Sequence, residues 1–412
     1  MTEPNILLHR AEPTQKALEL VESTLDAESA TADEIAELRA EADVVKAAVA
    51  CRADRVEGID ELVAAAPVRP DSFRPFVVSS AAGTATFAAI YRFDFAEALR
   101  RQQWAAPYNA RNIGPNGAMT GHCLVGIVAN ERLDIHQAQD SFRTALRIAR
   151  RSGGSHSFSA RLAGSLLGEL LSEQGRLDEA ERLLDESCKL GAGSGMVDFK
   201  LARYAAGARI KALRGDRTTA AHRLDEGARA AASLHLPRLR ARIENERIRL
   251  GLPPTAGLEP PPLAEYTTRR RRRPGADAIT AQLEEDTAIR LLAAADSPAS
   301  TRIACTWAQE WVTMLDGSRR RRALLQAKRL LIVALAAAER TTEAKGLLAA
   351  VTTQCAELGM TRYLLDSPIR VRELVADLRD DSLAGRCLPE WAPVPTSFLT
   401  DMLATNTTVD VA

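Results

Sequence analysis

The sequence predicts an all-α protein, built as a superhelical array of tetratricopeptide-like helical hairpins with a period of about 40 residues. Two observations support this fold class. The 412 residues are rich in Ala, Leu, Arg and Glu and contain 4% aromatic residues, a composition that favours helices over a β-sandwich or barrel. In addition, a short segment recurs at nearly constant spacing along the chain, which is typical of stacked repeats.

The recurring segment is a polar turn that ends in a small residue. The first five copies are separated by 40, 40, 42 and 40 residues, and a sixth follows after 124, close to three more periods. The small residue is expected where the two helices of a hairpin approach closely. Because one hairpin cannot bury its apolar face alone, the hairpins are expected to stack. The six positions are Gly58, Ala98, Ala138, Ala180, Ala220 and Ala344.

The spacing of apolar and capping residues also indicates helices. The leucines that follow Leu162 recur at steps of three and four, as on one face of a helix. Near the start of the chain, Thr31 and Glu34 have the spacing of a capping box, which predicts a helix from there to about Arg52. A further helix is predicted over residues 13–25.

Two interruptions divide the array. Residues 104–117 are rich in Asn, Gly and Pro and are predicted to form an ordered loop between helices. A second segment contains six prolines and five consecutive arginines and is predicted to be an extended linker. The predicted organisation is an N-terminal helical block (1–250), this linker (251–275), a C-terminal helical block (276–404) and a tail (405–412).

Charge is balanced over the whole chain but not along it. The 54 basic and 54 acidic side chains give a net charge of zero, which disfavours a globally basic nucleic-acid binder. Residues 1–65 carry 15 acidic and 6 basic side chains, whereas residues 200–250 carry 13 basic and 5 acidic ones. This asymmetry indicates either a contact steered by charge or solvated helix faces with local ion pairs.

The cysteine pattern and the hydropathy of the sequence indicate the cellular compartment. The six cysteines are scattered and form no C-x-x-C pair, as in reduced proteins without a disulfide framework or zinc site. The first residues lack a cationic and then apolar pattern, so no signal peptide is expected. The longest apolar stretches are too short to span a bilayer. The sequence therefore predicts a cytoplasmic protein without a membrane partner.

The sequence lacks the motifs of common catalytic sites. A P-loop, the Gly-rich, H-R-D and D-F-G motifs of kinases, H-E-x-x-H and G-x-S-x-G are all missing. The six histidines have no second His or Cys at metal-binding spacing, apart from the adjacent His122 and Cys123. We therefore expect a chain that is not an enzyme and that has neither a cofactor nor a metal ion.

Two arginine runs raise the question of nucleic-acid binding. The first run lies among prolines without interleaved aromatic residues, so it has charge for phosphates but no stacking platform. A contact with phosphate or with a protein partner is left open, and nucleic acid is the less favoured of the two. The second run, residues 319–322, is predicted to open a helix. The first run consists of Arg269, Arg270, Arg271, Arg272 and Arg273.

The predicted loop is the best candidate for a ligand or partner site. Aromatic and amide side chains on a loop between rigid helices suit recognition. Alternatively, the two aromatic side chains fill a gap that the loop leaves in the helical stack. The candidate residues are Trp104, Tyr108, Asn109, Arg111 and Asn112.

Several longer stretches carry a family resemblance. GHCLVGIVANERLD (residues 121–134) and LLGELLSEQGRLDEAERLL (166–184) resemble the helical-repeat region of MalT-type regulators, the large ATP-binding LuxR family. The resemblance is strongest to the version in the C-terminal half of mycobacterial serine/threonine protein kinases of the K type. It continues through CAELGMTRYLLD (355–366) and covers roughly residues 85–403.

The resemblance implies a function in regulation. In these families the array is a sensor that receives an inducer or a protein partner and controls a linked nucleotide-binding or kinase module. It therefore implies a non-catalytic regulatory module of a signalling kinase or transcription regulator, which binds a protein partner or a small-molecule inducer. The alternative is a DNA-associated transcriptional regulator of the LuxR family. The sequence departs from the family because an ATPase motif and a helix-turn-helix after Leu403 are missing.

Overall fold

The computed structural model describes residues 31–111, 114–255, 275–295 and 297–407, and within these ranges it contains helices and no β-strand. In chain order the helices are α1 (Ala32–Arg52), α2 (Ile59–Leu62), α3 (Ala65–Val68), α4 (Pro75–Tyr91), α5 (Phe95–Arg111), α6 (Asn116–Glu131), α7 (Ile135–Gly153), α8 (Phe158–Glu173), α9 (Leu177–Cys188), α10 (Val197–Leu201, the π-helical turn Ala202–Ala206 and Gly207–Leu213), α11 (Arg217–Ser233), α12 (Pro237–Arg249), α13 (Ala276–Ala294), α14 (Pro298–Leu315), α15 (Arg321–Ala337), α16 (Thr341–Leu358), α17 (Arg362–Leu365), α18 (Ile369–Leu383) and α19 (Thr396–Thr407).

The predicted array of helical hairpins is confirmed. The two helices of a hairpin are joined by a turn in which one residue has a positive φ and the next one precedes the second helix. Between α6 and α7, Leu133 has a φ of 61°, and the Asp134 carboxylate accepts the backbone N–H of Gln137 at 3.2 Å. Between α10 and α11, Gly215 has a φ of 82° and Asp216 caps in the same way. The capping carboxylate satisfies a helix-end donor that would otherwise lack a partner.

The alanines of the repeat lie in the buried interior of the array. All five alanines have an exposed fraction of 0%, and adding methylenes at such a packed position typically costs about 1–3 kcal/mol. The first copy differs, because Gly58 is followed by the four-residue helix α2 rather than by a long one. Pro67 and Pro70 remove backbone donors in this region, so it breaks into short helices. The alanines are Ala98, Ala138, Ala180, Ala220 and Ala344.

The described parts of the two predicted blocks pack against each other. Helices α12 and α13 are neighbours, and the Asn245 Nδ2 atom donates to Asp286 at 2.5 Å and to Thr287 at 3.1 Å. One apolar core cluster also combines residues of α6–α10 with residues of α13–α19. The division into two blocks and a linker stays a prediction, since residues 256–274 lie outside the described residues.

Helices from the C-terminal half contact the N-terminal hairpins. Arg322, at the start of α15, donates to Asn130 of α6 at 3.0 Å and to Glu173 of α8 at 2.5 Å. Ile279 of α13 packs against the N-terminal apolar cluster. At the C-terminus, α19 extends to Thr407, beyond the predicted start of the tail. The helix predicted over residues 13–25 lies outside the described residues.

Candidate ligand-binding cavities

The predicted recognition loop is largely helical, which corrects the sequence-based placement of its residues. Helix α5 continues through Pro107 and ends at Arg111. The proline is tolerated because the carbonyl that loses its donor belongs to Gln103, which is exposed and accessible to water. Of the five candidate residues, four lie on α5, and Asn112 lies outside the described residues.

Three of the candidate residues form a ladder along the outer face of α5. The ring centroids of Trp104 and Tyr108 are 5.3 Å apart, and the guanidinium carbon of Arg111 lies 4.8 Å from the Tyr108 ring centroid. Spacings of four and three residues place these side chains on one helical face. Trp104 is 37% exposed, so the ladder displays an aromatic surface.

Asn109 points to another side of α5 and lines a partly open pocket. Its Oδ1 atom accepts a hydrogen bond from the Ser79 hydroxyl of α4 at 2.5 Å. The space, here named the N-terminal cavity, has a volume of about 100 Å³ and lies between α1, α4, α5, α6, α8 and the start of α10. Asn109 was a candidate because it was expected on a recognition loop, whereas in the structure it lines this cavity from a helix. Its lining includes Cys51, Arg52, Gly83, Gln102, Asn109 and Gly121.

Arg52 is the charged group of the N-terminal cavity. It ends α1 and has no hydrogen-bond or ion-pair partner among the described residues, and its Nη1 atom is buried. Burial lowers the pKa of this guanidinium. Around it, the Gln102 amide donates to the Thr86 hydroxyl at 2.8 Å. Several buried arginines are paired with carboxylates, whereas Arg52 is half-buried and, like Arg150 and Arg372, has a buried nitrogen without a partner among the described residues.

A second, larger space lies where the two halves of the array meet. This central cavity has a volume of about 160 Å³ and is lined by charged and amide side chains from both halves. Each arginine that lines it has at least one hydrogen-bond or ion-pair partner. A polar cavity of this size can hold several ordered water molecules. Its lining includes Tyr91, Glu169, Asp198, Arg238, Arg322 and Arg329.

Arg238 is the most completely paired arginine of the central cavity. Its guanidinium donates to both oxygens of Asp54, at 2.8 and 2.6 Å, and to Asp198 at 3.3 Å. It also lies 4.3 Å from the ring centroid of Tyr91, whose hydroxyl donates to Asp198. Burial alone lowers the pKa of Arg238, but the two carboxylates raise it well above its usual value. The cation therefore stays charged and joins α10 and α12 to the end of α1.

Glu246 forms a similar buried centre on α12. Its carboxylate accepts two hydrogen bonds from Arg209, at 2.8 and 2.7 Å, and one from Arg249 at 3.2 Å. Burial raises the pKa of Glu246, but the arginines outweigh it and hold the pKa well below its usual range. Such bidentate pairs fix geometry as well as charge.

The second arginine run is only partly exposed, unlike a phosphate-binding surface. In the run at residues 319–322, Arg320 and Arg322 are buried, and Arg322 is paired with Glu173. The helix predicted there is present, since α15 begins at Arg321. The first run, residues 269–273, lies outside the described residues. The charge of the second run is thus partly used inside the protein.

The chain is similar to curated serine/threonine-protein kinases. It is 48% identical over 363 residues to the serine/threonine-protein kinase PknK of Mycobacterium tuberculosis, and the same values hold for PknK of Mycobacterium bovis. The match covers 88% of this chain and 32% of the kinase, so the chain spans about a third of the length of these relatives. The chain is homologous to the C-terminal part of PknK. No protein-family model matches the chain.

The matched part of PknK lies outside its kinase portion. The described residues of this chain form helices and no β-strand. Among the same residues, no group of three or more His, Cys, Asp or Glu side chains is placed to hold a metal ion. No described helix combines the length and apolar character needed to cross a bilayer.

Proposed function

We propose that the chain is a non-catalytic regulatory module of a signalling kinase or transcription regulator, which acts in the cytoplasm and binds a protein partner or small-molecule inducer. The observation that carries this proposal is the 48% identity to a part of PknK outside its kinase portion. A helical array with partly open cavities suits binding.

The affiliation with MalT-type sensors of the LuxR family belongs to the same proposal. It is supported by the resemblance of residues 121–134 and 166–184 to the repeats of those regulators. Such an array acts through shape: a ligand that binds one arrangement of the helices more tightly than another shifts the population towards it. Contacts such as Arg322 to Asn130 and Glu173 would pass a shift in one half of the array to the other.

The alternative, a DNA-associated regulator with arginine runs on phosphate, has weaker support. Arg320 and Arg322 are buried, and Arg322 is neutralised by Glu173. A phosphate-driven complex weakens steeply with salt. Tight binding of duplex DNA by the purified chain, lost on raising the salt concentration, would favour this alternative over the first proposal.

A chimaeric kinase tests the regulatory function. Three proteins are compared: intact PknK of M. tuberculosis, PknK without the homologous segment, and PknK that carries this chain in its place. We expect the segment-free kinase to differ from intact PknK in autophosphorylation and in phosphorylation of a generic protein substrate. We expect the chimaera to return towards the intact level, because the array is homologous.

Two outcomes would contradict the proposal. Equal activity of all three kinases would mean that the segment does not regulate. ATP turnover by the isolated chain, retained through repeated purification, would mean that the chain is itself catalytic.

A further inference from the structure

Arg52 gives the N-terminal cavity a guanidinium without a partner among the described residues. Arg238, Arg209 and Arg322 are each neutralised by a carboxylate of this chain. Arg52 has no such carboxylate among the described residues, although its Nη1 atom is buried. A partly buried cation without hydrogen bonds is costly to keep, and a ligand that supplies the acceptor removes that cost.

The remaining wall of the cavity indicates the rest of the ligand. Leu162, Met196 and Phe199 provide apolar surface, and backbone without a side chain is exposed at Gly83. Since a 150 Å³ apolar cavity admits the six carbon atoms of benzene, a cavity of about 100 Å³ accommodates on the order of four non-hydrogen atoms. The ligand is therefore very small, with one polar end and a short hydrocarbon part.

We propose that the N-terminal cavity binds a small aliphatic monocarboxylate, with its carboxylate on Arg52 and its hydrocarbon chain against Leu162, Met196 and Phe199. The planar guanidinium matches a carboxylate in two parallel hydrogen bonds. The Asn109 amide nitrogen lies on the same wall and is a further donor, because its oxygen is already used by Ser79.

Other ligand classes fit this cavity less well. A phosphate carries more charge than one arginine neutralises, and the apolar wall offers it nothing. A neutral alcohol or amide of the same shape fills the space but leaves the guanidinium without an anion. Recognition therefore depends on both the charge and the hydrocarbon chain.

This inference deepens the proposed function and rests on it for its regulatory meaning. A ligand in this cavity touches α1, α6, α8 and the start of α10 together, so its binding energy favours the arrangement in which these elements are close. The binding itself is tested on the isolated chain, independently of any kinase.

The experiment titrates the full chain with acetate, propionate, butyrate and isobutyrate by isothermal calorimetry and thermal unfolding. Propionamide is the neutral control with the shape of propionate, and inorganic phosphate is the anionic control without a hydrocarbon chain. We expect at least one carboxylate to bind and to raise the midpoint of unfolding, with both controls at least about tenfold weaker.

Variants assign the binding to the cavity. Arg52→Gln is expected to weaken the best carboxylate about 10- to 100-fold, since charge-assisted hydrogen bonds are lost. Arg39→Gln, an exposed arginine on the same helix, is the matched control and is expected to bind normally. Gly83→Leu fills the cavity without removing Arg52 and is expected to abolish binding. Circular dichroism checks that each variant is folded.

The outcomes are distinguishable. Absence of binding by all four carboxylates, or equal binding by the Arg52→Gln variant, would overturn the ligand assignment and leave the kinase chimaera as the test of the regulatory function. Equal affinity for phosphate or propionamide would also overturn it. Carboxylate binding that leaves the chimaera unchanged would support the site and contradict its regulatory role.

Discussion

The two cavities place arginine in opposite electrostatic situations. In the central cavity, Arg238 is held by two carboxylates and Arg322 by Glu173, so the charges are neutralised within the chain. In the N-terminal cavity, Arg52 lies beside apolar surface and amides without a carboxylate among the described residues. The comparison separates two uses of one side chain: the paired arginines hold distant helices together, and the unpaired one is available to a ligand.

The largest effect expected from this comparison is on stability. Arg238→Met leaves the buried carboxylates of Asp54 and Asp198 without their cation, which is expected to cost about 3–5 kcal/mol of unfolding free energy. Arg52→Met is expected to cost less than about 1 kcal/mol or to stabilise, since no partner loses its charge. Urea denaturation of both variants beside the native chain measures the difference. Equal losses would mean that Arg52 is paired in solution.

A pH dependence is expected from Lys200, which lies between the two cavities on α10. Burial, reinforced by Arg203 and Arg52, lowers the pKa of this amine from 10.5 to about 7. Above that pH the folded chain releases a proton that the unfolded chain still holds, so the free energy of unfolding rises with pH, by up to about 1.4 kcal/mol per unit. Below pH 7 both states are protonated, and the cost of the buried charge is constant.

Urea denaturation at about pH 6.5 and about pH 8.5 tests this expectation. The higher pH lies between the folded-state pKa of Lys200, about 7, and its ordinary value of 10.5, where the free energy of unfolding rises with pH. Lys200→Met is expected to remove the rise and to stabilise the chain most at the lower pH. Lys189, an exposed lysine, provides the control variant Lys189→Met. A native chain and a Lys200→Met variant with the same pH dependence would show that the buried amine does not titrate there.

The smallest effect compares two glycines on the wall of the N-terminal cavity. A Cβ atom at Gly83 would meet no atom within 4 Å, so Gly83→Ala is expected to stabilise by about 0.5–1 kcal/mol. A Cβ atom at Gly121 would lie 2.5 Å from the Gln102 amide oxygen and 3.1 Å from the Asn109 amide nitrogen, so Gly121→Ala is expected to destabilise. Opposite signs in thermal unfolding would support the shape of the cavity. A loss for Gly83→Ala would contradict it.

The hairpins could be predicted from the sequence because their signals are local. A turn followed by an alanine recurs at fixed spacing, and each such alanine is buried in the structure. The placement of Trp104 and Tyr108 was wrong, since Asn, Gly and Pro near a helix end are typical of loops, whereas α5 continues through Pro107. Local composition does not reveal that Gln103 is exposed, so that water can replace the hydrogen bond that Pro107 cannot donate to its carbonyl.

The cavities could not be predicted, because they depend on contacts between distant residues. Arg322 meets Asn130 and Glu173, which are 192 and 149 residues away along the chain. From the sequence alone, an arginine in a charged run such as Arg322 is expected to be exposed to solvent. Likewise, the sequence around Arg52 does not show that the fold leaves its guanidinium without an acceptor among the described residues.

The pair formed by Arg238 and Asp54 joins positions 184 residues apart. In an ideal solenoid each repeat contacts its neighbours alone, and stability accumulates unit by unit. Here an ion pair between the turn after α1 and helix α12 links distant repeats. Removing repeats from either end is therefore not expected to cost the same free energy per repeat. Removing the residues up to and including Asp54 is expected to lower the free energy of unfolding by more than the contribution of one repeat. The intact array is expected to unfold in a single transition.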